Sequence, residues 1–142
     1  MALYGLRGDS ADGARDAFRG AAVMLARLDS LNDRLGAELD APLIVGIGIH
    51  TGEAIVGTMG SPASPNHSAI GDNINIATRL EAKTKEFGCA VVAAVAAMQM
   101  AGMELEGLEQ YNVEVRGRDA GMDVITLDQA SLEARLTLSQ AA

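Results

Sequence analysis

The spacing of apolar residues along the chain predicts two long amphipathic helices. In residues 9–40 the apolar positions recur every three or four residues, and either Asp9 or Ser10 can cap the helix that this spacing predicts. A second helix is expected from Asp72, a residue that favours helix N-caps, to about Phe87. Its core side is predicted to hold Ile76, Ala77, Leu80 and Phe87.

Short apolar runs rich in β-branched residues predict the strands. Residues 1–5 are expected to form one strand, and residues 43–50 a second strand that turns back as a hairpin with residues 53–58. Residues 60–66 are rich in turn-forming residues and are predicted to be a surface loop. Later strands are expected at residues 89–92, 111–116 and 122–127, with a short helix at 93–101 and a helical tail at 129–140. This order is typical of an α+β or α/β fold in which helices cover a sheet.

Composition and charge exclude several classes of function. Acidic residues outnumber basic ones by 19 to 11, and the resulting net charge of -8 argues against a general nucleic-acid binder or a contact with anionic lipid. The apolar residues are dispersed, so we expect a soluble, cytoplasmic segment with no membrane contact. Cys89 is the single cysteine and is predicted to be a packing residue, while His50 and His67 lie apart and are not predicted to bind metal.

Three glycines near the predicted second strand invite comparison with a dinucleotide-binding fingerprint. Gly46 and Gly48 have the required spacing, but the third glycine should stand where Thr51 stands, and no helix is predicted to begin there. We therefore reject that interpretation. Two others remain open, because glycines at positions 46, 48 and 52 allow either another stretch of backbone or a ligand to approach closely.

Residues 70–80 (IGDNINIATRL) carry the most specific motif. They join a tight turn to a helix start on which Asn75 and Arg79 lie one turn apart, opposite the predicted core side. An isolated Asn/Arg pair is more often part of a solvated face than of a site. Together with residues 46–60 (GIGIHTGEAIVGTMG) and 113–118 (VEVRGR), however, the motif closely resembles the class III adenylate/guanylate cyclases in order and spacing, over residues 1–127.

The resemblance implies an α+β fold with a ferredoxin-like, antiparallel-rich sheet covered by helices. It also implies a partial catalytic domain over residues 1–128, followed by a helical tail over residues 129–142. In this family the ribose 3′-hydroxyl of a nucleoside triphosphate attacks its own α-phosphorus and releases pyrophosphate. We expect ATP to be the substrate and cyclic AMP the product, with GTP as the competing assignment.

The resemblance also assigns roles to four residues. Asn75 is expected to orient the ribose, and Arg79 to meet the charge that accumulates on the α-phosphate in the transition state, a task that suits a permanently charged guanidinium. Arg116 is expected to bind the terminal phosphates. Ser68, two residues before Ile70, falls at the position that contacts the purine and is a candidate base contact.

The chain departs from the family in its metal ligands. Complete sites hold two Mg²⁺ or Mn²⁺ ions on two Asp residues, which belong to segments before the strand that residues 1–5 resemble, as does a Lys that helps to select adenine. Asp9, Asp12 and Asp16 are expected to cap or to cover α-helical surface instead, so we predict no metal ligands here. The family domain's first strand and helices are thus predicted to be missing, by truncation or by natural loss.

Three functions are consistent with these observations. The first is the substrate-orienting part of a cyclase whose site forms across a dimer, with a second copy or a complete cyclase subunit as partner. The second is a noncatalytic partner or regulatory module that supplies Asn75, Arg79 and Arg116 to a complete cyclase. The third is a nucleotide-binding module without turnover. The coding sequence upstream of Met1 would discriminate between the first two.

Overall fold

A four-stranded mixed sheet forms the centre of the computed structural model, which describes residues 1–61, 64–114 and 121–141. In chain order the elements are α1 (Ser10–Leu35), β1 (Ile47–Ile49), β2 (Ile55–Ser61), β3 (Ser64–Ile70), α2 (Asp72–Phe87), β4 (Val91–Ala94), α3 (Val95–Met100), β5 (Gln110–Val113), β6 (Met122–Leu127) and α4 (Gln129–Ala141). The sheet order is β1-β4-β6-β5, with β1 parallel to β4 and the other neighbours antiparallel. The predicted α+β fold with an antiparallel-rich sheet is confirmed.

One apolar core joins the sheet to its helices. Its largest fully buried side chains are Phe18 of α1, Leu80 of α2, Met98 of α3, Ile125 and Leu127 of β6, and Leu132 of α4. The core therefore includes the helix that follows residue 128, where Leu136 is buried as well. Cys89 packs against this core, as predicted. Within the described ranges, no helix is both long and apolar enough to cross a membrane.

Two of the expected elements near the N-terminus are different in the structure. Residues 1–5 form no strand, because they run beside α1, where Gly13 and Gly20 leave room for Gly5 and Tyr4. The first helix ends at Leu35 rather than near residue 40. Its end is fixed by Asn32, whose side chain donates to the carbonyl of Leu43 at 2.9 Å and accepts from the Leu43 N–H at 2.8 Å, so that the chain turns back there.

The predicted hairpin between residues 43–50 and 53–58 is wrong. β1 pairs in parallel with β4, and β2 pairs with β3, from Ile55 opposite Ile70 to Ser61 opposite Ser64. The segment after β1 cannot fold back on it, because Asn73 of α2 binds the carbonyl of Glu53 and holds that segment against the helix. The expected loop at residues 60–66 is largely strand. Proline is compatible with this ribbon, because both of its strands are edge strands.

The second long helix agrees closely with its prediction. α2 spans the expected residues, and Gly88 ends it in the left-handed conformation, with φ of 63° and its N–H bonded to the carbonyl of Thr84. Ile76, Leu80 and Thr84 are buried, whereas Ala77 and Phe87 are half-buried. The N-cap is Gly71 rather than Asp72. The Asp72 carboxylate therefore lies in the first turn, where its negative charge interacts favourably with the positive end of the helix dipole.

The N-terminus of α4 is capped by Asp128 and Ser131. The N–H of Ser131 donates to Oδ1 of Asp128 at 2.8 Å, and the N–H of Asp128 donates to Oγ of Ser131 at 3.0 Å. The Ser131 hydroxyl also lies 2.6 Å from the same carboxylate oxygen. The two bonds that Ser131 donates to the carboxylate, first that of its hydroxyl and then that of its N–H, favour the ionised form and hold the pKa of Asp128 below its ordinary value.

We expect Asp128→Ala to lower the free energy of unfolding by about 1 kcal/mol at neutral pH, because α4 loses its cap. A pKa lowered in the folded state makes this contribution complete above about pH 4 and removes it as the pH falls through the folded-state pKa. Urea unfolding of the wild type and the variant at about pH 7 and about pH 3 measures the difference. Equal differences at both pH values would contradict the cap, and Glu104→Ala, an exposed acid outside the helices, is the control.

Candidate functional site

The helix that carries Asn75 and Arg79 lies directly on β1 and the residue before it. Gly48 faces the backbone of α2 at Ala77 and Glu81, and Gly46 faces the side chain of Thr84. A Cβ atom at either glycine would overlap those atoms. This decides between the two open interpretations for Gly46 and Gly48: α2 approaches them closely, through its backbone at Gly48 and through the Thr84 side chain at Gly46, and no ligand is needed to explain them.

A third contact on the same face of β1 is polar. His50 follows Gly46 and Gly48 at two-residue spacing, and its Nε2 lies 2.9 Å from Oδ1 of Asn73. Nδ2 of Asn73 donates to the carbonyl of Glu53 at 2.7 Å, and Gly52 lies against the same amide group. Sequence reasoning missed Asn73 and His50, although a polar residue on the inward side of the first helical turn is a signal that a partner is needed.

The outward side of α2 carries the predicted catalytic pair. Asn75 and Arg79 are both exposed, and residues four apart on a helix are surface neighbours. The buried Ile76 and Leu80 face the core instead, so neither member of the pair takes part in core packing. The structure therefore brings together Asn75 and Arg79 on one accessible helical surface.

Of the two predicted substrate contacts, the structure describes Ser68. Ser68 is half-buried on β3 opposite Gly57, on the strand that leads through Gly71 into α2. Ser68 is thus carried by the ribbon of β2 and β3, whereas Asn75 and Arg79 are carried by the helix that follows. Arg116 lies outside the described residues.

An apolar groove of about 750 Å³ borders β1. Its walls are residues 1–6, one side of α1 and the β1-facing side of α2. Because β1 is the end strand of the sheet and pairs only with β4 among the described strands, its other edge faces this groove. The unpaired N–H and C=O groups of such an edge can accept another strand.

The acidic residues near the N-terminus have helical roles. Asp9 caps α1 by accepting a backbone N–H of its first turn at 2.7 Å, Asp12 pairs with Arg15, and Asp16 pairs with Arg19 at 3.1 Å. This confirms that they cap and cover helix surface. In the described part of the chain no cluster of three or more His, Cys, Asp or Glu side chains is arranged to hold a metal ion.

Comparison with protein families identifies the domain to which this helix belongs. Residues 1–128 match the adenylate and guanylate cyclase catalytic domain. The chain belongs to the class III cyclase family. Adenylate cyclase 1 of Rhizobium meliloti (strain 1021) is 30% identical to this cyclase domain over 111 residues, which are 78% of this chain and 17% of that protein. The adenylate cyclase of Anabaena cylindrica is 35% identical over 86 residues, 57% of this chain and 17% of that protein.

Solved structures show the same fold. The guanylyl cyclase Cya2 superposes with a TM-score of 0.71 and 24% identity, over 87% of this chain and 61% of that one. A bacterial light-regulated adenylyl cyclase gives 0.65 and 21%, over 90% of this chain and 39% of that one. At 24% and 21% sequence identity, the similarity to these two structures shows the fold alone. It confirms the cyclase-type arrangement of sheet and helices that the motifs predicted.

Proposed function

We propose that this cyclase domain is part of a class III nucleotidyl cyclase that converts ATP into cyclic AMP and pyrophosphate, and that it supplies the ribose-orienting and transition-state residues. The observation that carries the proposal is the joint presentation of Asn75 and Arg79 on the outer side of α2, in a chain that matches the family catalytic domain. We also propose a cytoplasmic location, because ATP is the substrate that we assign.

The chemistry of the reaction suits this pair. When the 3′-hydroxyl attacks the α-phosphorus, negative charge accumulates on the α-phosphate oxygens, and a guanidinium at position 79 meets that charge at any physiological pH. The Asn75 amide can both donate to and accept from the ribose. Since the chain has a net charge of -8, attraction of a triphosphate depends on individually placed cations, and we assign Arg116 to the terminal phosphates.

The Mg²⁺ or Mn²⁺ ions of a complete family site do not fit the residues described here, since these hold no cluster of three or more acidic, His or Cys side chains, and Asp9, Asp12 and Asp16 are engaged on α1. We therefore propose that a complete cyclase subunit takes part in the functional site and supplies the metal ligands. A second copy of this chain is the other partner that the dimeric site of the family suggests, but its described residues would add no cluster of metal ligands. The open edge of β1 beside the groove supports a need for further polypeptide. The same lack of ligands favours a second candidate, a noncatalytic partner that lends Asn75, Arg79 and Arg116 to another cyclase.

A mixing experiment tests the proposal. The partner is a class III cyclase domain that keeps its metal-binding Asp residues but has Ala in place of the arginine equivalent to Arg79, so that it is inactive alone. Adding this chain is expected to restore formation of cyclic AMP and pyrophosphate in equal amounts, because each protein then provides what the other lacks. No product from the mixture, when size-exclusion chromatography shows that the two proteins associate, would contradict the proposed function.

The purine preference is expected to depend on Ser68. Its hydroxyl can donate to a base edge and can also accept from one, so Ser68→Ala should change the ratio of cyclic AMP to cyclic GMP formed by the restored enzyme. The ratio is measured with equal concentrations of ATP and GTP. Thr58→Ala on the neighbouring strand β2 is the control. Equal ratios for the wild type and Ser68→Ala would remove this residue from the site.

A further inference from the structure

We propose that Asn73 is a positioning residue that locks the first turn of α2 to the segment following β1 and thereby sets the direction in which Asn75 and Arg79 are presented. The inference rests on the proposed function of that pair. It concerns a different side of the helix, because Asn73 is half-buried and faces the residues that follow β1, whereas Asn75 and Arg79 are exposed.

The orientation of the Asn73 amide follows from its partners. A backbone carbonyl only accepts hydrogen bonds, so the group that lies 2.7 Å from the Glu53 carbonyl is the amide NH₂. The amide oxygen then faces His50, whose Nε2 at 2.9 Å must carry the hydrogen. The Asn73 side chain thus binds both the imidazole ring of His50 and the backbone carbonyl of Glu53.

The other contacts of α2 fix its distance from β1 more firmly than its rotation. Gly46 and Gly48 let the helix approach, and Ile76 and Leu80 hold it by apolar burial, which has no preferred direction. The N-cap is Gly71, which has no side chain and so cannot cap the helix with one. The two hydrogen bonds of Asn73 are directional and lie at the end of α2 where the catalytic pair begins.

A small rotation of the helix would matter at this site. A side-chain tip about 6 Å from the axis moves by about 1 Å when the helix turns by about 10°. A displacement of about 1 Å in a reacting geometry can cost about a hundredfold in rate. Losing the clamp should therefore reduce turnover even though Asn73 faces the segment after β1 and not the side of α2 on which Asn75 and Arg79 are exposed.

The test uses paired variants of the restored enzyme. Asn73→Ala and His50→Ala are expected to lower kcat by about tenfold to a hundredfold, with a smaller change in KM, because binding contacts remain while alignment is lost. His50→Gln should recover most of kcat, since its amide NH₂ can take the place of the ring N–H. Thr78→Ala, which removes a hydroxyl bonded within α2 at 3.1 Å, is the matched control.

Hydrogen exchange on the 142-residue chain gives a readout that needs no activity. The amides at the start of α2 should exchange faster in Asn73→Ala and His50→Ala, and at the wild-type rate in His50→Gln and Thr78→Ala. If the wild-type mixture forms no product, the proposed function fails while exchange still decides whether the clamp exists. Faster exchange with unchanged kcat, or no rescue by glutamine in a folded His50→Gln protein, would overturn the positioning role.

Discussion

The 142-residue chain by itself is expected to form no measurable cyclic AMP from ATP, with either Mg²⁺ or Mn²⁺. In a two-metal displacement the ions activate the attacking oxygen and neutralise the phosphates. The described residues provide no cluster of three or more acidic, His or Cys side chains to hold such ions, and the acids nearest the N-terminus are engaged at the start and on the surface of α1. Cyclic AMP formation by the chain alone should thus be essentially absent rather than merely slow.

The measurement is product formation by the purified chain, followed by chromatography of the nucleotides. The positive control is the same preparation mixed with the metal-competent partner, which shows that the chain is folded and able to contribute. Robust cyclic AMP formation by the chain alone, at a rate that scales with its concentration through repeated purification, would show that metal ligands exist at positions to which we assign none.

In the mixed enzyme, Arg79→Ala is expected to reduce turnover by about a hundredfold to a thousandfold, the usual effect of removing one preorganised donor from a developing negative charge. The side chain is exposed on α2 and takes no part in the core, so the fold should survive the change. Asn75→Ala should cause a similar or smaller loss, because it removes orientation without removing charge.

Lys85→Ala is the matched control, since it removes an exposed cation from the last turn of the same helix. Circular dichroism and urea unfolding verify that each variant is folded. If Arg79→Ala keeps the wild-type kcat while Lys85→Ala also does, the role assigned to Arg79 is wrong. If both variants lose activity equally, the effect reflects overall charge rather than placement.

Local sequence signals predicted α2 well because its information is local. Both its 3.6-residue periodicity and the glycine at its end lie within residues 72–88, and both signals predict the same helix. The exposure of Asn75 and Arg79 could be predicted from that helix alone, because the residues of the core side determine which residues lie on the opposite, solvent-facing side. The resemblance then added roles that periodicity cannot supply.

The partner of β1 was wrongly predicted because it is decided by distant residues, whereas the neighbouring strands β5 and β6 pair with each other as their sequence indicates. Ile47 pairs with Val91, and no turn signal near β1 indicates a partner so far along the chain. The Thr51-Gly52 turn pattern is present, but the segment after it binds α2 through Asn73 instead of returning along β1. The bond between His50 and Asn73 joins residues 23 positions apart and was equally invisible to local patterns.

The contact between Gly48 and α2 restricts how this chain can be varied by mutagenesis. A methyl group at position 48 would meet the carbonyl of Ala77 and the backbone nitrogen of Glu81, and a helix backbone cannot swing aside as a long side chain does. At position 46 the obstacle is the buried, β-branched Thr84. In a library that randomises the neighbourhood of the site, both glycines are therefore positions to hold constant, whereas exposed positions such as Ala82 and Lys85 can be varied. Glycines packed beneath α2 thus limit the sequences that can hold Asn75 and Arg79 in place on its outer side.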